Sequence, residues 1–232
     1  MSSKIGSPES IPYLFIRVER DKRAYFVAKR LFDLALSIVF LTLSVPILTL
    51  IALCIRLESP GPVIFKQKRV GKDGKIFGCY KFRSMYCGPP NPREKAFVKA
   101  FIHGQVSEPP GGAGGTFKSH ERNKVTRVGR ILRRTSLDEL PQFINVLRGE
   151  MSIVGPRPHV VSEVAAYAPW HRRRLAALPG ITGWAQVNGR SCLTFDQLVR
   201  YDLEYIERQS LAFDLEILFK TVAVVVTGVG TE

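Results

Sequence analysis

Two adjacent carboxylates, Asp138 and Glu139, are the residues of this sequence best suited to chemistry. They follow a basic run whose cations are Lys124, Arg127, Arg130, Arg133 and Arg134. Pro141 is tolerated only in the first turn of a helix, so we predict a helix that is capped by Asp138. The positive end of such a helix also attracts phosphate. A structural interpretation stays open, because Asp is a favoured cap and Ser136 with Glu139 has capping-box spacing.

Arg157 is a second candidate, because Pro156 and Pro158 on either side restrict its backbone. An arginine held in this way suits bidentate recognition of phosphate or carboxylate. A salt bridge to a nearby acid explains it equally well. His159 and His171 have no partner at metal-ligand spacing, and we interpret both as surface or loop residues.

The stretch 179–190 combines three glycines with Trp184 and a terminal Arg190. Because glycine lets a backbone come close to a ligand, this stretch is a candidate binding loop. The alternative is an ordinary turn, strand and turn around a core tryptophan. The glycine-rich stretch 109–115 lacks the ending and the preceding strand of a P-loop, and we interpret it as flexible.

The composition points to an anionic partner. The chain has 232 residues, enough for one domain or at most two, and 34 Lys and Arg against 20 Asp and Glu give a net charge of +14. Nucleic acid, an acidic membrane surface and phosphate-bearing substrates all fit, but no nucleic-acid recognition motif is present. The four cysteines lack metal-binding spacing and are expected to be free thiols. A cleaved signal peptide is not expected.

Residues 34–55 form an apolar segment without any charge. At about 1.5 Å per residue the segment is long enough for a hydrocarbon layer of roughly 30 Å, and its apolar faces favour membrane over a buried core helix. Pro46, with Ser44 two residues before it, should kink or break the helix. Cations flank both ends, which places both ends on the cytoplasmic side. A re-entrant helix satisfies both observations, whereas a transmembrane anchor satisfies only the length.

The rest of the chain predicts a mostly helical α+β domain with a small β-hairpin. Asp73 and Gly74 indicate the hairpin turn, between strands at 63–65 and 76–80. Helices are predicted over 93–103, from the carboxylate pair to about Arg148, and over 195–209. The segment 211–226 fits an amphipathic helix in the membrane interface or under the domain. The predicted parts are a lead at 1–27, a re-entrant membrane helix at 28–57 and a cytoplasmic or interfacial catalytic domain at 58–232, with a flexible, lid-like insertion at about 89–118.

These motifs together resemble the bacterial sugar transferases, that is, the monotopic polyprenyl-phosphate phosphoglycosyltransferases in their minimal form. The resemblance runs from about residue 29 to 226, apart from the insertion, and the ordered set is highly specific. Its motifs are KRLFD (29–33), SPGPV (59–63), YKFRSM (80–85), SLDELPQ (136–142), NVLRGEMS (145–152), VGPRP (154–158) and PGITGWAQVNGR (179–190). Two positions depart from some members: Val45 instead of Ser precedes Pro46, and Leu178 instead of a cation precedes Pro179.

The resemblance implies an enzyme on the cytoplasmic face of the bacterial inner membrane. It would move a phospho-sugar from a UDP-sugar to undecaprenyl phosphate, release UMP and so begin a surface glycan. Asp138 would be the nucleophile, Glu139 would hold the metal or handle the acceptor's proton, and the two would bind Mg²⁺. The implied phosphate ligands are Lys81, Arg133, Arg157 and Arg190, and the implied nucleotide contacts are Pro179, Gly180, Thr182 and Trp184.

Two non-enzymatic alternatives stay open at this point. A membrane-tethered nucleic-acid-binding protein would explain the charge, but it leaves Arg157 and the two carboxylates without a role. A scaffold protein would use the carboxylates only as helix caps. The sequence identifies neither the sugar nor the oligomeric state, of which a homodimer is one option.

Overall fold

The computed structural model describes residues 22–86, 92–105, 125–189 and 193–227. Within these ranges the protein is the predicted mostly helical α+β fold, with a small sheet and a long apolar helix. Residues 1–21 of the predicted lead, the stretch 109–115 and Arg190 lie outside the described residues.

The long apolar helix, α1, is Arg23–Glu58. Its 36 residues extend about 54 Å at 1.5 Å per residue. In the described part of the chain it is the one helix that is long and apolar enough to cross a membrane. It starts before the predicted boundary at residue 28 and stays helical through Pro46.

Burial divides α1 into three parts. Lys29, Asp33 and Ser37 are buried near its start, and Ile51 and Ile55 are buried near its end. Between them, residues 38–50 are exposed or only partly buried, and exposed side chains predominate. Both ends of the helix therefore contact the folded domain, while its apolar centre does not enter the core.

The predicted hairpin is confirmed. Strands β1 (Ile64–Val70) and β2 (Ile76–Phe82) pair antiparallel, from Ile64 opposite Phe82 to Val70 opposite Ile76. Asp73 and Gly74 in the turn have positive φ angles of 54° and 76°. The short strand β4 (His159–Val160) adds to the other edge of β1, and β3 (Ser152–Val154) pairs in parallel with β5 (Gly180–Thr182).

The remaining helices pack around these two small sheets. In the described part of the chain they are α2 (Pro92–Ile102), α3 (Arg127–Arg134), α4 (Gln142–Leu147), α5 (Val161–Val164), α6 (Trp184–Val187), α7 (Phe195–Arg208) and α8 (Leu211–Thr227). Helix α7 confirms the predicted helix at 195–209, and α2 confirms the one at 93–103, with Phe101 and Ile102 buried.

The core has two parts. The larger one lies between α1, the hairpin, α4, the β3–β5 pair, α7 and α8, and it includes Phe143, Tyr205 and Ile217. The smaller one lies under α2 and includes Tyr167 and Phe195. Helix α8 contributes Phe213 and Ile217 to the larger core but leaves Phe219 74% exposed.

Polar side chains attach α1 to the domain. Lys29 Nζ lies 2.9 Å from Asp214 Oδ2 of α8, and Asp33 accepts the backbone N–H of Ile153. Arg30 donates to the carbonyls of Val146 and Leu147 at the end of α4. Lys29 and Arg30 are among the cations that flank the apolar segment, and in the structure both bond to the domain.

The interpretation of His159 and His171 as surface or loop residues is also wrong. His159 lies on β4 with its side chain 12% exposed, and its Nδ1 is 2.6 Å from the Tyr167 hydroxyl. His171 is buried, accepts the backbone N–H of Ala168 and contacts Asp196. The hydrogen-bond partners of the two histidines lie 3 to 25 positions away in sequence, and comparing the sequence with metal-ligand spacings does not reveal such partners.

Candidate active site

The two carboxylates lie in a tight turn between α3 and α4. Helix α3 ends at Arg134, and Ser136 takes a left-handed conformation with φ 58° and ψ 15°. A single 3-10 turn, Leu137–Glu139, follows, and α4 begins only at Gln142 after Pro141. A non-glycine residue in this conformation costs about 1–3 kcal/mol, and such strain concentrates at functional sites.

This geometry corrects the predicted helix cap. Asp138 lies inside the 3-10 turn, so it does not cap α4, which has Pro141 at its N-cap position. Ser136 makes no side-chain capping bond, so the capping box is not formed. The structural interpretation of the two carboxylates as helix caps therefore loses its support.

Glu139 is held by two cations from different elements. Its Oε1 accepts from Lys81 Nζ of β2 at 2.8 Å and from Arg157 Nη2 at 2.8 Å. Its Oε2 accepts a longer bond of 3.4 Å from Arg157 Nη1. The side chains of Lys81 and Glu139 are 17% and 16% exposed, so water screens the group only partly. The hypothesis that Arg157 forms a salt bridge is confirmed in this state of the protein.

The positive charges of Arg157 and Lys81 determine the ionisation state of Glu139. Burial alone raises the pKa of Glu139, but Arg157 and Lys81 outweigh it and hold that pKa well below its usual range. Glu139 in turn raises the pKa of Arg157, and the nearby Asp138 adds to that effect. Glu139 is therefore an anion at neutral pH, and a weak base.

Asp138 itself is half-buried beside this cluster. Its charge acts on Arg157, which places it within electrostatic reach of that guanidinium. Arg133, another predicted phosphate ligand, lies in the last turn of α3 and is also half-buried. The structure thus brings Lys81, Arg157, Asp138 and Glu139 together.

The backbone around Arg157 is fixed by the β3–β5 pair. Gly155 donates to Thr182 O at 2.8 Å, and Gly180 donates to Pro156 O at 2.9 Å. A Cβ atom on Gly180 would lie 2.1 Å from Gly155 N, so the two backbones touch directly. Gly180 therefore allows two backbone segments to come into contact, whereas the sequence interpretation expected glycine to let the backbone approach a ligand.

All four predicted nucleotide contacts are buried. Thr182 shares a hydrogen bond with Thr221, and Trp184 donates to Glu204 and packs edge-on against Phe213. Pro179 and Gly180 are buried in the β3–β5 pairing. Trp184 is thus the core tryptophan of the alternative interpretation, and the four residues have a structural explanation that needs no nucleotide.

Several residues that support the site were missed by the sequence interpretation. Asn145 is fully buried and bonds to Tyr80 N, Gly78 O and Glu150, which joins α4 to the strand that carries Lys81. Arg83 is buried and donates to Pro62 O and Ser59 O after α1. Apart from Glu150, which is 5 positions from Asn145, these partners are 21 to 67 positions apart in sequence, so local patterns do not reveal them.

Comparison of the sequence with known protein families gives a match. The family model described as "Bacterial sugar transferase" matches residues 24–228. The chain belongs to the bacterial sugar transferase family. This membership confirms the resemblance seen in the motifs.

Curated relatives give the family context. The chain is 45% identical over 202 residues to the UDP-glucose:undecaprenyl-phosphate glucose-1-phosphate transferase of Escherichia coli (strain K12), covering 84% of this chain and 39% of that protein. It is 38% identical over 214 residues to the undecaprenyl-phosphate galactose phosphotransferase of Salmonella typhimurium, covering 91% and 44%. A UDP-glucose:undecaprenyl-phosphate glucose-1-phosphate transferase of Caulobacter vibrioides is 39% identical over 207 residues, covering 86% and 70%. The chain spans less than half of the first two relatives.

The site of this sugar transferase family member offers few ligands for a metal. Among the described residues, no cluster of three or more His, Cys, Asp or Glu side chains could hold an ion. Mg²⁺ commonly binds through one or two carboxylates together with substrate phosphates. The two adjacent carboxylates here are Asp138 and Glu139, and Glu139 accepts from Lys81 and Arg157.

Proposed function

We propose that this chain transfers a phospho-sugar from a UDP-sugar to undecaprenyl phosphate and releases UMP. The observation that carries the proposal is the cluster in which Lys81 and Arg157 converge on Glu139 beside Asp138. Phosphoryl transfer depends mainly on positioning and on the neutralisation of negative charge. A carboxylate nucleophile can approach a diphosphate only if cations lie within reach, and here two do.

In the first step, an Asp138 carboxylate oxygen attacks the sugar-bearing phosphorus of the donor. The bond from that phosphorus to the bridging oxygen breaks, and its electron pair leaves with UMP. An acyl phosphate between Asp138 and the phospho-sugar remains. Covalent catalysis of this type divides one difficult displacement into two easier ones.

In the second step, a phosphate oxygen of undecaprenyl phosphate attacks the same phosphorus. The bond to the Asp138 oxygen breaks, which restores the carboxylate and yields a polyprenyl-diphospho-sugar. Both steps add negative charge near Lys81 and Arg157, and cations that are already in position need no reorganisation during the reaction.

In this scheme Glu139 keeps the two cations in place until substrate arrives. Its depressed pKa makes it a poor proton acceptor while both cations remain bound to it. When a diphosphate takes over part of their charge, that pKa rises and Glu139 becomes able to accept a proton. Glu139 would then position the cations first and handle the acceptor's proton afterwards, the second of these being one of the two roles that the resemblance implies for it.

Mg²⁺ is part of the proposal, with Asp138 and the donor's diphosphate as the groups that would hold it. The ion would neutralise negative charge on the diphosphate. Arg133 and Arg190 are proposed as further phosphate contacts, Arg133 because it lies just before the turn that carries Asp138.

We also propose that α1 enters and leaves the membrane by the cytoplasmic face of the inner membrane. Support comes from burial, because Asp33 and Ile55 near its two ends both pack into the same domain. A helix that spanned the bilayer would carry its two ends to opposite faces of the membrane, whereas a single folded domain lies on one face. Pro46 lies within the exposed central part, where a bend of the helix would turn it back.

The sugar is left open, because the relatives differ in the sugar that their names specify. The deciding experiment measures UMP release from a panel of UDP-sugars by purified protein in detergent, with Mg²⁺ and undecaprenyl phosphate. We expect sustained release with at least one donor only when lipid is present, because without the acceptor the reaction stops at the acyl phosphate after about one UMP per protein molecule. The Asp138→Asn variant should release none, yet melt within a few degrees of the wild type, because Asp138 caps no helix.

Two outcomes would contradict the proposal. UMP release that continues at the wild-type rate in Asp138→Asn would place the nucleophile elsewhere. No release from any donor by a well-folded wild-type protein would reject the UDP-sugar as donor. A matched control is Asp73→Asn, which makes the same chemical change in the exposed hairpin turn and should keep full activity.

A further inference from the structure

The loop that carries Arg157 is held at four consecutive positions. Gly155 N–H bonds to Thr182 O, and Pro156 O accepts from Gly180 N–H. Arg157 O accepts from Arg174 Nη2 at 2.9 Å, and Pro158 O accepts from Nη1 of Arg69. The first two contacts belong to the β3–β5 pairing, but the last two come from side chains of distant elements.

Arg174 is the more deeply buried of these two arginines. It lies in the 3-10 segment Pro169–Ala176 and is 2% exposed. Its Nε and Nη2 donate to Asp202 Oδ2 of α7, and its Nη1 donates to the Tyr167 hydroxyl at 2.8 Å. Asp202 is 1% exposed, so the ion pair is withdrawn from water.

This arrangement is poorly explained by stability alone. Removing two charges from water costs several kcal/mol per ion, and well-packed apolar residues often serve equally well. The guanidinium nevertheless directs one of its donors at the backbone carbonyl of Arg157. Its fixed fork lets one side chain hold Asp202, Tyr167 and that carbonyl together.

We propose that Arg174, anchored by Asp202, is a positioning residue that sets the Arg157 guanidinium against Glu139 and the substrate phosphate. Arg174 touches no reacting atom, and it acts through the Arg157 backbone. The inference rests on the proposed transferase function and adds a residue to it. It also gives the buried Arg174–Asp202 pair a role in the reaction, although the pair lies outside the cluster around Glu139.

The test compares Arg174→Lys in two backgrounds. A lysine keeps the charge beside Asp202, but its three N–H donors lie on a single nitrogen and cannot span to the Arg157 carbonyl as the guanidinium fork does. In the wild-type background, kcat for UMP release should fall about 10- to 100-fold, since displacements of about 1 Å have effects of this size. In an Arg157→Lys background, where the guanidinium is already absent, the same substitution should lower kcat by less than about threefold, because residues that act through one another are not additive.

Tyr167→Phe is the matched control. It removes a hydrogen bond from the same buried guanidinium but leaves the contact between Arg174 and Arg157 O in place. Its melting temperature should fall as that of Arg174→Lys does, while in each background its kcat stays within about threefold of the parent protein of that background. Equal losses of kcat from Arg174→Lys in both backgrounds, or equal losses from Tyr167→Phe, would overturn the positioning role.

A second measurement does not depend on turnover. The Arg157 guanidinium protons that bond to Glu139 should exchange slowly with water and give a nitrogen–proton signal by NMR, assigned by its loss in Arg157→Lys. Arg174→Lys should weaken or remove that signal, and Tyr167→Phe should keep it. If Arg174→Lys leaves the signal unchanged, the positioning role is rejected, whether or not the wild type releases UMP. If the wild type releases no UMP, that result alone counts only against the transferase function.

Discussion

Glu139 shows how much chemistry depends on the partners of one side chain. In the described structure its carboxylate holds Lys81 and Arg157, which are also the cations that a diphosphate needs. An internal anion can occupy the position where a substrate anion would bind, and here it holds the two cations together and oriented. The affinity for the donor would then depend on how readily Glu139 gives these cations up.

The first prediction concerns the charge of Glu139. Glu139→Gln keeps the shape of the side chain but leaves Lys81 and Arg157 without their anion. We expect the free energy of unfolding at pH 7 to fall by about 1–3 kcal/mol, the usual cost of leaving partly buried charged groups unpaired. Chemical denaturation measures this loss, and the exposed Glu216→Gln should change stability by less than about 0.5 kcal/mol.

The same variant has a defined pH dependence. The pKa of Glu139 is depressed in the folded protein, so its stabilisation is fully present above the ordinary glutamate pKa of 4.5 that it has in the unfolded chain. It is lost as the pH falls through the lower, folded pKa. The stability difference between wild type and Glu139→Gln should therefore stay constant above about pH 5 and shrink below it. A difference that persists unchanged to pH 3 would refute this account of Glu139.

At the scale of elements, contacts between backbones decide where the site residues lie. The β3–β5 pair is only three residues long on each side, yet it holds the loop that presents Arg157. Its glycines matter because a side chain there would meet backbone atoms that cannot move aside. Gly180 is the clearest case, with Gly155 N only 2.1 Å from the position of an added Cβ.

The second prediction is therefore made for Gly180→Ala. We expect unfolding free energy to fall by about 1–3 kcal/mol, as overpacking does in a rigid core, and UMP release to fall with the displaced Arg157 loop. Gly71→Ala is the control, because its Cβ would meet only the movable Phe77 ring and Lys75 O at 3.2–3.4 Å. If Gly180 instead served a nucleotide, Gly180→Ala would raise KM for the donor and leave the melting temperature unchanged.

Local sequence patterns predicted the elements whose signals are local. The Asp73-Gly74 turn, the end of α4 before Gly149 and helix α7 were all found, because turn residues and hydrophobic periodicity act over a few positions. The turn that holds Asp138 was missed, since a left-handed Ser136 has no sequence signature. Arg174, Asp202 and Lys29 were missed as supports, because their partners are 7 to 185 positions away and follow from tertiary packing alone.

At the scale of the whole molecule, α1 connects the catalytic domain to the membrane. Arg30 bonds to the carbonyls at the end of α4, and Phe40 stacks on Phe143 of the same helix at 4.5 Å between ring centroids. Because α4 directly follows the turn with Asp138, the depth of α1 in the lipid would also set the height of the proposed nucleophile. In the proposed reaction the acceptor's phosphate lies at the headgroup level, where Asp138 is needed.

The third prediction tests the path of α1 through the membrane. Ala24→Cys and Leu57→Cys, each in a variant without the natural cysteines, should both react with a membrane-impermeant maleimide in inverted inner-membrane vesicles. Neither should react in intact cells. Lys75→Cys in the exposed hairpin is the control for the cytoplasmic face. Labelling of one end from each side would establish a spanning helix and reject the re-entrant form.

The bond between Lys29 and Asp214 has a consequence for how the chain is made. The two residues are 185 positions apart, so at about 5–20 residues per second the ribosome needs roughly 10 to 40 s to supply the second after the first. During that time Lys29 and Asp33 have no folded partner, and water is the only medium that solvates them well. We therefore expect the nascent chain to wait at the lipid surface with these two side chains in water, and α1 to settle only when α8 is released.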